Sequence, residues 1–189
     1  MNNKTSFEII NTRDESVVAK YENALYRAFS NSYIKTLDRI WNIDHKNKRI
    51  KTVVPYDFQQ IIALKIDGSE KYLAGMSINY DLNHMQLEQM GFKIDKSRSS
   101  TCEVLYMFSL ADYIGGVSPL QILSGQLMKE INARGIKYLY GTCSSRRLNA
   151  YTLLGFRNIE RQIFEGEEKF LLEMIMGKDS FLEVREIGH

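Results

Sequence analysis

Residues that could bind a phosphate stand between two predicted elements near the middle of the chain. The pair Gly115–Gly116 follows a predicted buried strand, and Ser118–Pro119 opens a predicted helix. A helix N-terminus presents unpaired N–H groups and the positive end of the helix dipole, which together suit an anion. Glycine lets the backbone approach a ligand without a Cβ in the way. The pattern suits a phosphate site, but taken alone two glycines before a helix are more often an ordinary tight turn.

Two carboxyl groups close to this unit are candidates for a general base. Glu103 is the only acid inside the predicted central strand, and Asp112 follows at the end of that strand. Burial would raise the pKa of either group towards the range that is useful for accepting a proton near neutral pH. The alternative interpretation of Glu103 is an outward residue in a surface ion pair.

The elements that must position these residues follow from hydrophobic periodicity and turn signals. The predicted strands are 7–10, 60–66, 72–79, 101–110, 137–142, 156–164 and 169–176. The predicted helices are 16–29, 33–40, 82–90, 118–134 and 145–154. This order predicts an α/β fold in which helices cover the faces of one mixed sheet.

Composition limits the class of protein. The chain has 189 residues, of which 44% are hydrophobic and 25% charged, so we predict one domain over 1–189 with a polar tail from 177. A formal net charge of +2 is too small for a nucleic-acid partner, and the basic run at 46–51 is interpreted as a solvated loop. The polar N-terminus and the lack of a transmembrane segment predict a cytoplasmic protein.

The cysteines and histidines do not indicate a metal site. Cys102 and Cys143 both fall in predicted strands, where a reduced cysteine behaves as a small hydrophobe. His45, His84 and His189 are scattered and lack the spacing of metal ligands. We therefore expect no metal cofactor.

Two segments resemble motifs of the GNAT acyltransferases. The run Asn149-Ala-Tyr-Thr-Leu-Leu-Gly-Phe156 is similar to the family's Ala…Tyr-x-x-Leu-Gly-Phe ending. The loop from Tyr113 to Ser118 is similar in part to its pyrophosphate-binding Gln/Arg-x-x-Gly-x-Gly/Ala segment, with Gly116 as the central glycine. Tyr113 replaces the basic or amide residue, and Pro119 has no N–H to offer.

The resemblance implies a mostly antiparallel mixed sheet, splayed between its fourth and fifth strands, and acyl transfer from a thioester to an amine. It implies that Tyr151 lies beside the thioester sulfur, where a phenol can protonate the leaving thiolate. It also implies that a backbone N–H from the 107–110 segment polarises the thioester carbonyl. The residues expected to bind the donor are Met107, Phe108, Ser109, Leu110, Tyr113, Gly115, Gly116, Val117, Ser118 and Asn149.

The start of the predicted helix 145–154 carries four further polar residues. Ser144 and Ser145 are interpreted as helix caps or as proton relays. Arg146 and Arg147 would meet a donor phosphate or an acidic carrier protein, or would form an exposed helix face.

Three details resemble the GNAT subset that makes N-acyl amino acids or acyl-homoserine lactones, commonly from acyl carrier protein. They are the Leu25–Phe29 segment, Glu103 in an apolar strand, and the long insertion before that strand. Tyr106 stands where the lactone synthases carry an arginine, so a lactone product is not expected. Phosphopantetheine on a protein lacks the ADP half of coenzyme A, which fits the altered phosphate loop.

The leading hypothesis is an N-acyltransferase that uses acyl-CoA or acyl-phosphopantetheine on an acyl carrier protein, with a medium or long acyl chain favoured. A second hypothesis is an acetyl-CoA-dependent N-acetyltransferase acting on a small-molecule or protein amine. A third, from a different class, is a catalytically silent GNAT scaffold that serves as a ligand sensor or interaction module.

Overall fold

A computed structural model describes residues 4–30 and 37–177. Its strands are β1 (Thr5–Ile9), β2 (Trp41–Asp44), β3 (Arg49–Thr52), β4 (Gln59–Ile66), β5 (Tyr72–Asn79), β6 (Thr101–Ser109), β7 (Tyr138–Ser144), β8 (Arg157–Phe164) and β9 (Glu167–Ile175). Its α-helices are α1 (Glu15–Phe29), α2 (Gln86–Gln89), α3 (Pro119–Ala133) and α4 (Ser145–Leu153). The first half of the predicted helix 33–40 and the tail from 178 lie outside the described residues.

Seven strands form one sheet in the order β1-β4-β5-β6-β7-β9-β8, and all neighbours are antiparallel except β6 and β7. The parallel pair holds together over three residue pairs, which end at Glu103 opposite Tyr140. Both strands continue beyond this point without pairing to each other. The predicted mixed sheet, open between its fourth and fifth members, is therefore confirmed.

Two hydrophobic clusters cover the two faces of this sheet. On the face that we call the α1 face, helix α1, the β2–β3 hairpin and the insertion between β5 and β6 pack against the sheet. On the opposite face, which we call the α3 face, helices α3 and α4 pack. The insertion belongs to the core, because Met85, Leu87, Met90 and Phe92 are almost completely buried. It is a packed layer over the α1 face.

The β2–β3 hairpin is a feature that the sequence did not predict. The basic run 46–51 was expected to be a solvated loop, and this interpretation is wrong for its second half, which forms β3. Arg49 donates from Nε to the buried Glu22 of α1 at 2.6 Å and also pairs with Glu15 at 2.8 Å. Arg49 on the hairpin forms ion pairs with acidic residues of α1. A charged segment of the sequence is therefore packed against a helix here and is not a solvated loop.

Helix boundaries follow the capping signals closely. Asp14 caps α1 by accepting hydrogen bonds from the N–H groups of Ser16 and Val17 at 3.0 and 3.3 Å. Pro119 occupies the first turn of α3, as expected, but the side chain of Ser118 makes no capping hydrogen bond. Among the described residues, no helix is both long and apolar enough to cross a bilayer.

Gly75 provides a test of how tightly the α1 face is packed. A Cβ at this position would lie 2.7 Å from both Phe108 Cε1 and the Tyr21 hydroxyl. We therefore expect Gly75→Ala to lower the free energy of unfolding by about 1–3 kcal/mol, the usual cost of overpacking. Urea unfolding measures this change.

Gly125 offers a matched control inside α3, because a Cβ there would meet nothing within 4 Å. Gly125→Ala should raise the free energy of unfolding by roughly 0.5–1 kcal/mol, since alanine is the better helix former. Equal effects of the two alanines would contradict the close packing over Gly75.

Candidate active site

The opening between β6 and β7 is the feature around which the candidate residues gather. Beyond Glu103 and Tyr140, β6 continues for six residues to Ser109 and β7 for four residues to Ser144. A bulge in the pairing of β6 with β5 falls at Leu105, because Ile78 opposes Val104 while Ser77 opposes Tyr106. Such bulges bend a strand and redirect its side chains. Here the bend turns β6 away from β7.

The backbone of β6 presents donors to this opening. The N–H of Leu110 bonds to the carbonyl of Leu73, on the β5 side. Because N–H directions alternate along a strand, the N–H groups of Met107 and Ser109 point to the other side, towards the opening. These two amides occupy the segment in which a donor to the thioester carbonyl was predicted.

Glu103 lies at the closed end of the opening, on the α1 face, and its side chain is 1% exposed. Its carboxylate accepts hydrogen bonds from the N–H groups of Gln86 and Leu87, at 3.0 and 2.8 Å, and from Asn79 Nδ2 at 3.1 Å. The surface ion pair considered from the sequence is therefore wrong. Burial raises the pKa of Glu103 to about 7, against the opposing effect of these three donors. Glu103 thus anchors the first turn of α2 and also has the proton affinity of a general base.

A row of polar side chains continues from Glu103 across the α1 face. Tyr140 stands opposite Glu103 on β7, and Glu173 stands opposite Tyr140 on β9. Arg98, at the end of the insertion, donates to both the Tyr140 hydroxyl and Glu173 Oε1, at 3.0 and 2.5 Å. Arg157 donates to Glu173 Oε2 at 2.9 Å. The insertion is thus fastened to the sheet by hydrogen bonds to Glu103 on one side of the opening and by the Arg98–Glu173 ion pair on the other.

Tyr151 lies on the opposite face of the sheet from Glu103. It belongs to α4 and packs into the cluster of the α3 face, with its ring edge-on to Phe156 at 5.7 Å. Burial, followed by the nearby thiol of Cys143, raises the pKa of Tyr151 to about 12, and Arg147 opposes this shift. The phenol therefore remains protonated at neutral pH, which is the state required of a proton donor.

The predicted phosphate loop is closed on itself. Ile114 and Val117 exchange two backbone hydrogen bonds, at 2.8 and 3.1 Å, around Gly115 and Gly116, which both have positive φ. This is a two-residue hairpin turn that requires glycine-like backbone angles. It uses the N–H groups of Ile114 and Val117 internally, so they are not free for an anion. No lysine or arginine occurs from Ser99 to Met128.

Positive charge stands instead at the start of α4, on the same face of the sheet as α3. Arg146 and Arg147 are exposed in the first turn of this helix. Ser144 occupies the N-cap position but makes no capping hydrogen bond with its side chain, and Ser145 is exposed. The N-terminus of α4 lies where β7 ends, beside the open end of the splay.

The other residues predicted to bind the donor fall into two environments. Phe108 is buried at 3% exposure in an aromatic cluster with Tyr21 and Tyr106. Met107 packs against the α3 face and Leu110 against the α1 face. The exposed residues of the set, with Asp112 beside them, are Tyr113, Gly115, Gly116, Val117 and Asn149. Their roles as donor-binding residues remain predictions.

Two polar residues beside the opening were not identified from the sequence. The hydroxyl of Thr142 on β7 is buried and has no hydrogen-bond partner. Lys169 on β9 keeps only 12% of its side chain exposed and pairs with Glu167 at 2.8 Å. Both are polar residues in strands that are otherwise mainly apolar. This break in the apolar pattern is the signal from which the sequence could have identified them.

No cluster of three or more histidine, cysteine, aspartate or glutamate side chains suited to a metal ion occurs within 4–30 and 37–177. Cys102 and Cys143 are free and buried, and burial raises the pKa of both thiols, that of Cys143 to about 11. Neither thiol has the lowered pKa of a reactive cysteine.

Comparison with known proteins identifies the fold. No family profile and no curated protein sequence matches the chain. Among solved structures, FeeM, an N-acyl amino acid synthase from uncultured soil microbes, is 13% identical with a TM-score of 0.63, over 95% of this chain and 98% of that one. MesI, a CoA-dependent acyl-homoserine lactone synthase, is 15% identical with a TM-score of 0.67, over 97% and 94%.

A ribosomal-protein-alanine N-acetyltransferase from Escherichia coli is 14% identical with a TM-score of 0.57, over 92% of this chain and 94% of that one. All three neighbours are acyltransferases with the GNAT fold. The fold of this chain is therefore the GNAT fold, as the sequence motifs predicted.

Titration of Glu103 generates a prediction about stability. Its folded-state pKa of about 7 lies above its ordinary value of 4.5, so its contribution to stability is full below about pH 4.5 and is lost as the pH rises through 7. The free energy of unfolding of the wild type, minus that of Glu103→Gln, should fall by about 3 kcal/mol from pH 4.5 to pH 8. Urea unfolding at several pH values measures it. A difference that does not change with pH would show that Glu103 titrates normally.

Proposed function

We propose that this protein is an N-acyltransferase that moves an acyl group from a thioester to an amine. The observation that carries the proposal is that a backbone donor, a carboxyl group and a phenol are placed at different sides of the opening between β6 and β7. Backbone donors of β6 line the opening, Glu103 approaches it from the α1 face, and Tyr151 lies on the α3 face. A thioester seated in the opening would have a base on one side and an acid on the other.

The residues fit the steps of aminolysis. The amine nitrogen attacks the thioester carbon, and the oxyanion that forms would accept hydrogen bonds from the N–H of Met107 or Ser109. The carbon–sulfur bond then breaks. Glu103 takes the proton that the amine loses, and Tyr151 gives a proton to the departing thiolate. The products are an amide and a free thiol.

The distribution of charge favours a donor attached to a carrier protein. Coenzyme A brings a pyrophosphate and a further phosphate, whereas the turn at 114–117 uses two of its own amides internally and lies in a stretch without lysine or arginine. Phosphopantetheine on a protein brings a single phosphodiester. Arg146 and Arg147 stand at the mouth of the opening and are placed to meet that charge or acids on the carrier.

The alternative donor, acyl-CoA, is supported by the neighbour MesI, which is a CoA-dependent synthase.

A medium or long acyl chain is favoured over acetyl. The apolar strand β6 supplies Leu105 and Met107 along the opening, and Leu110 follows directly after the strand. The TM-scores of the two synthases named above, 0.63 and 0.67, are higher than the 0.57 of the acetyltransferase. An acetyl-CoA-dependent N-acetyltransferase is the second candidate, and that third neighbour supports it.

The test of the proposal compares donors in parallel. Thermal stabilisation and thiol release are measured with acetyl-CoA, a long-chain acyl-CoA and a long-chain acyl carrier protein. A donor at a hundredfold excess over its Kd should add about 2.7 kcal/mol to the free energy of unfolding. We expect the carrier-bound donor to give the largest thermal stabilisation and the fastest thiol release. A response to acetyl-CoA alone would support the second candidate, and no response to any donor would support a catalytically silent scaffold.

Tyr151→Phe should lower kcat by about a hundredfold to ten-thousandfold, because it removes the proton donor and little else. Steady-state thiol release measures the loss, and circular dichroism checks that folding is unchanged. Tyr80→Phe is the matched control, since this phenol bonds to Gln60 on β4, away from the opening. Equal activity of the two variants would remove Tyr151 from the mechanism.

A further inference from the structure

Gln86, the first residue of α2, is a buried polar residue that touches two parts of the proposed site. The residue is 2% exposed. Its backbone N–H donates to the Glu103 carboxylate at 3.0 Å. Its side-chain Nε2 donates to the carbonyl oxygen of Leu105 at 3.2 Å. One residue of the insertion is therefore attached both to the candidate base and to the strand that carries the candidate oxyanion donors.

The position of Leu105 gives the second contact its significance. Leu105 is the extra residue of the β6 bulge, because its two neighbours stand opposite consecutive residues of β5. A bulge interrupts the regular ladder and sets the direction in which the strand continues. The N–H groups of Met107 and Ser109 follow two and four residues later. Their directions therefore depend on the peptide that Gln86 binds.

Trp41 on β2 determines which end of the Gln86 amide faces the bulge. Its indole Nε1 donates to Gln86 Oε1. An indole N–H can only donate and a carbonyl oxygen can only accept, so a reversed amide would lose both hydrogen bonds. Trp41 is itself buried and packs edge-on against Phe29 and Tyr106. The hairpin thus orients the amide, and the amide holds the peptide of Leu105.

Packing alone does not require a polar side chain at this position. The two neighbours of Gln86 in the chain, Met85 and Leu87, are apolar and almost completely buried. An apolar side chain would fill the same place without the desolvation cost of burying an amide. The amide of Gln86 therefore contributes directional hydrogen bonds rather than volume.

We propose that Gln86 is a positioning residue that holds the β6 bulge in the geometry required for the Met107 or Ser109 N–H to meet the thioester oxygen. The inference rests on the proposed function, because it assigns the residue that aims the donors of that same site. Stabilisation of an oxyanion depends on donors that are held in place before the reaction begins. A misplacement of about 1 Å can lower a rate about a hundredfold.

Gln86→Met tests the inference, because methionine keeps nearly the volume of glutamine and loses both side-chain hydrogen bonds. We expect kcat for thiol release to fall by about tenfold to a hundredfold, with an equal fall in kcat/KM, since the lost interaction belongs to the transition state. The pH dependence of kcat should keep its midpoint, because the N–H donors of α2 to Glu103 belong to the backbone and remain.

Trp41→Phe is the second variant. It keeps an aromatic ring and removes the donor that orients the Gln86 amide, while Gln86 itself stays intact. We expect kcat to fall by a smaller factor, about twofold to tenfold, because the amide can then rotate away from Leu105. Circular dichroism checks the folding of each variant, and Trp41→Phe supplies the same kinetic test if Gln86→Met does not fold.

Gln162→Met is the matched control. Gln162 lies on β8, and its amide likewise joins the insertion to the sheet through a hydrogen bond to a backbone carbonyl, that of Met90. This variant should leave kcat unchanged. Equal losses in Gln86→Met and Gln162→Met would mean that any loosening of the insertion slows the enzyme. Wild-type kcat in Gln86→Met would mean that the bulge needs no such support. Either result overturns the inference and leaves the acyltransferase intact.

Amide ¹H–¹⁵N resonances test the geometry without turnover. The resonances of Met107 and Ser109 should shift in Gln86→Met and stay in place in Gln162→Met. Unchanged resonances in Gln86→Met overturn the inference even in an active enzyme. If the shifts occur but neither acetyl-CoA, long-chain acyl-CoA nor acyl carrier protein releases thiol, the acyltransferase proposal fails and the hold of Gln86 on the bulge stands.

Discussion

The site depends on the separation of β6 from β7. A parallel pair inside a sheet normally extends along the whole of both strands, because each backbone donor and acceptor gains a partner. Here pairing stops after three residue pairs, and the bulge at Leu105 lies just beyond the last of them. Two successive residues, Leu105 and Tyr106, consequently pack on the same face. The turn of β6 away from β7 leaves the backbone donors on that side of β6 without partners on β7.

The insertion before β6 explains how the open sheet remains stable. It contributes four nearly buried apolar side chains to the α1 face, and polar bonds hold it at both ends. Glu103 on β6 binds the start of α2, while Arg98 reaches Tyr140 on β7 and Glu173 on β9. The insertion thus bridges the two halves of the sheet where their own strands do not pair. The same carboxylate that serves as candidate base therefore also belongs to this bridge.

The sequence was most informative where a local pattern decides the structure. The run from Tyr151 to Phe156, the strand at 101–110 and the ends of α1 and α3 depend on neighbours within a few residues, and all were placed correctly to within a residue or two. The β2–β3 hairpin was missed because its two four-residue strands carry charges that pair with α1, far away in sequence. The donors to Glu103 also come from a segment about sixteen residues earlier, so its burial could not be read from its own strand.

One physical cause, the removal of water, prepares both candidate groups for opposite tasks. Burial raises the pKa of Glu103 to about 7 and that of Tyr151 to about 12. For a carboxylic acid, this shift brings the pKa close to neutral pH, so that the ionised form is a strong enough base to accept a proton from an amine. For a phenol, the same shift keeps the proton in place, as the proposed reaction requires until a thiolate develops. Because the two groups lie on opposite faces of the sheet, the proposed reaction would take up and donate protons on opposite sides of the thioester. On this proposal, the open strands are both the binding site and the partition between the base and the acid.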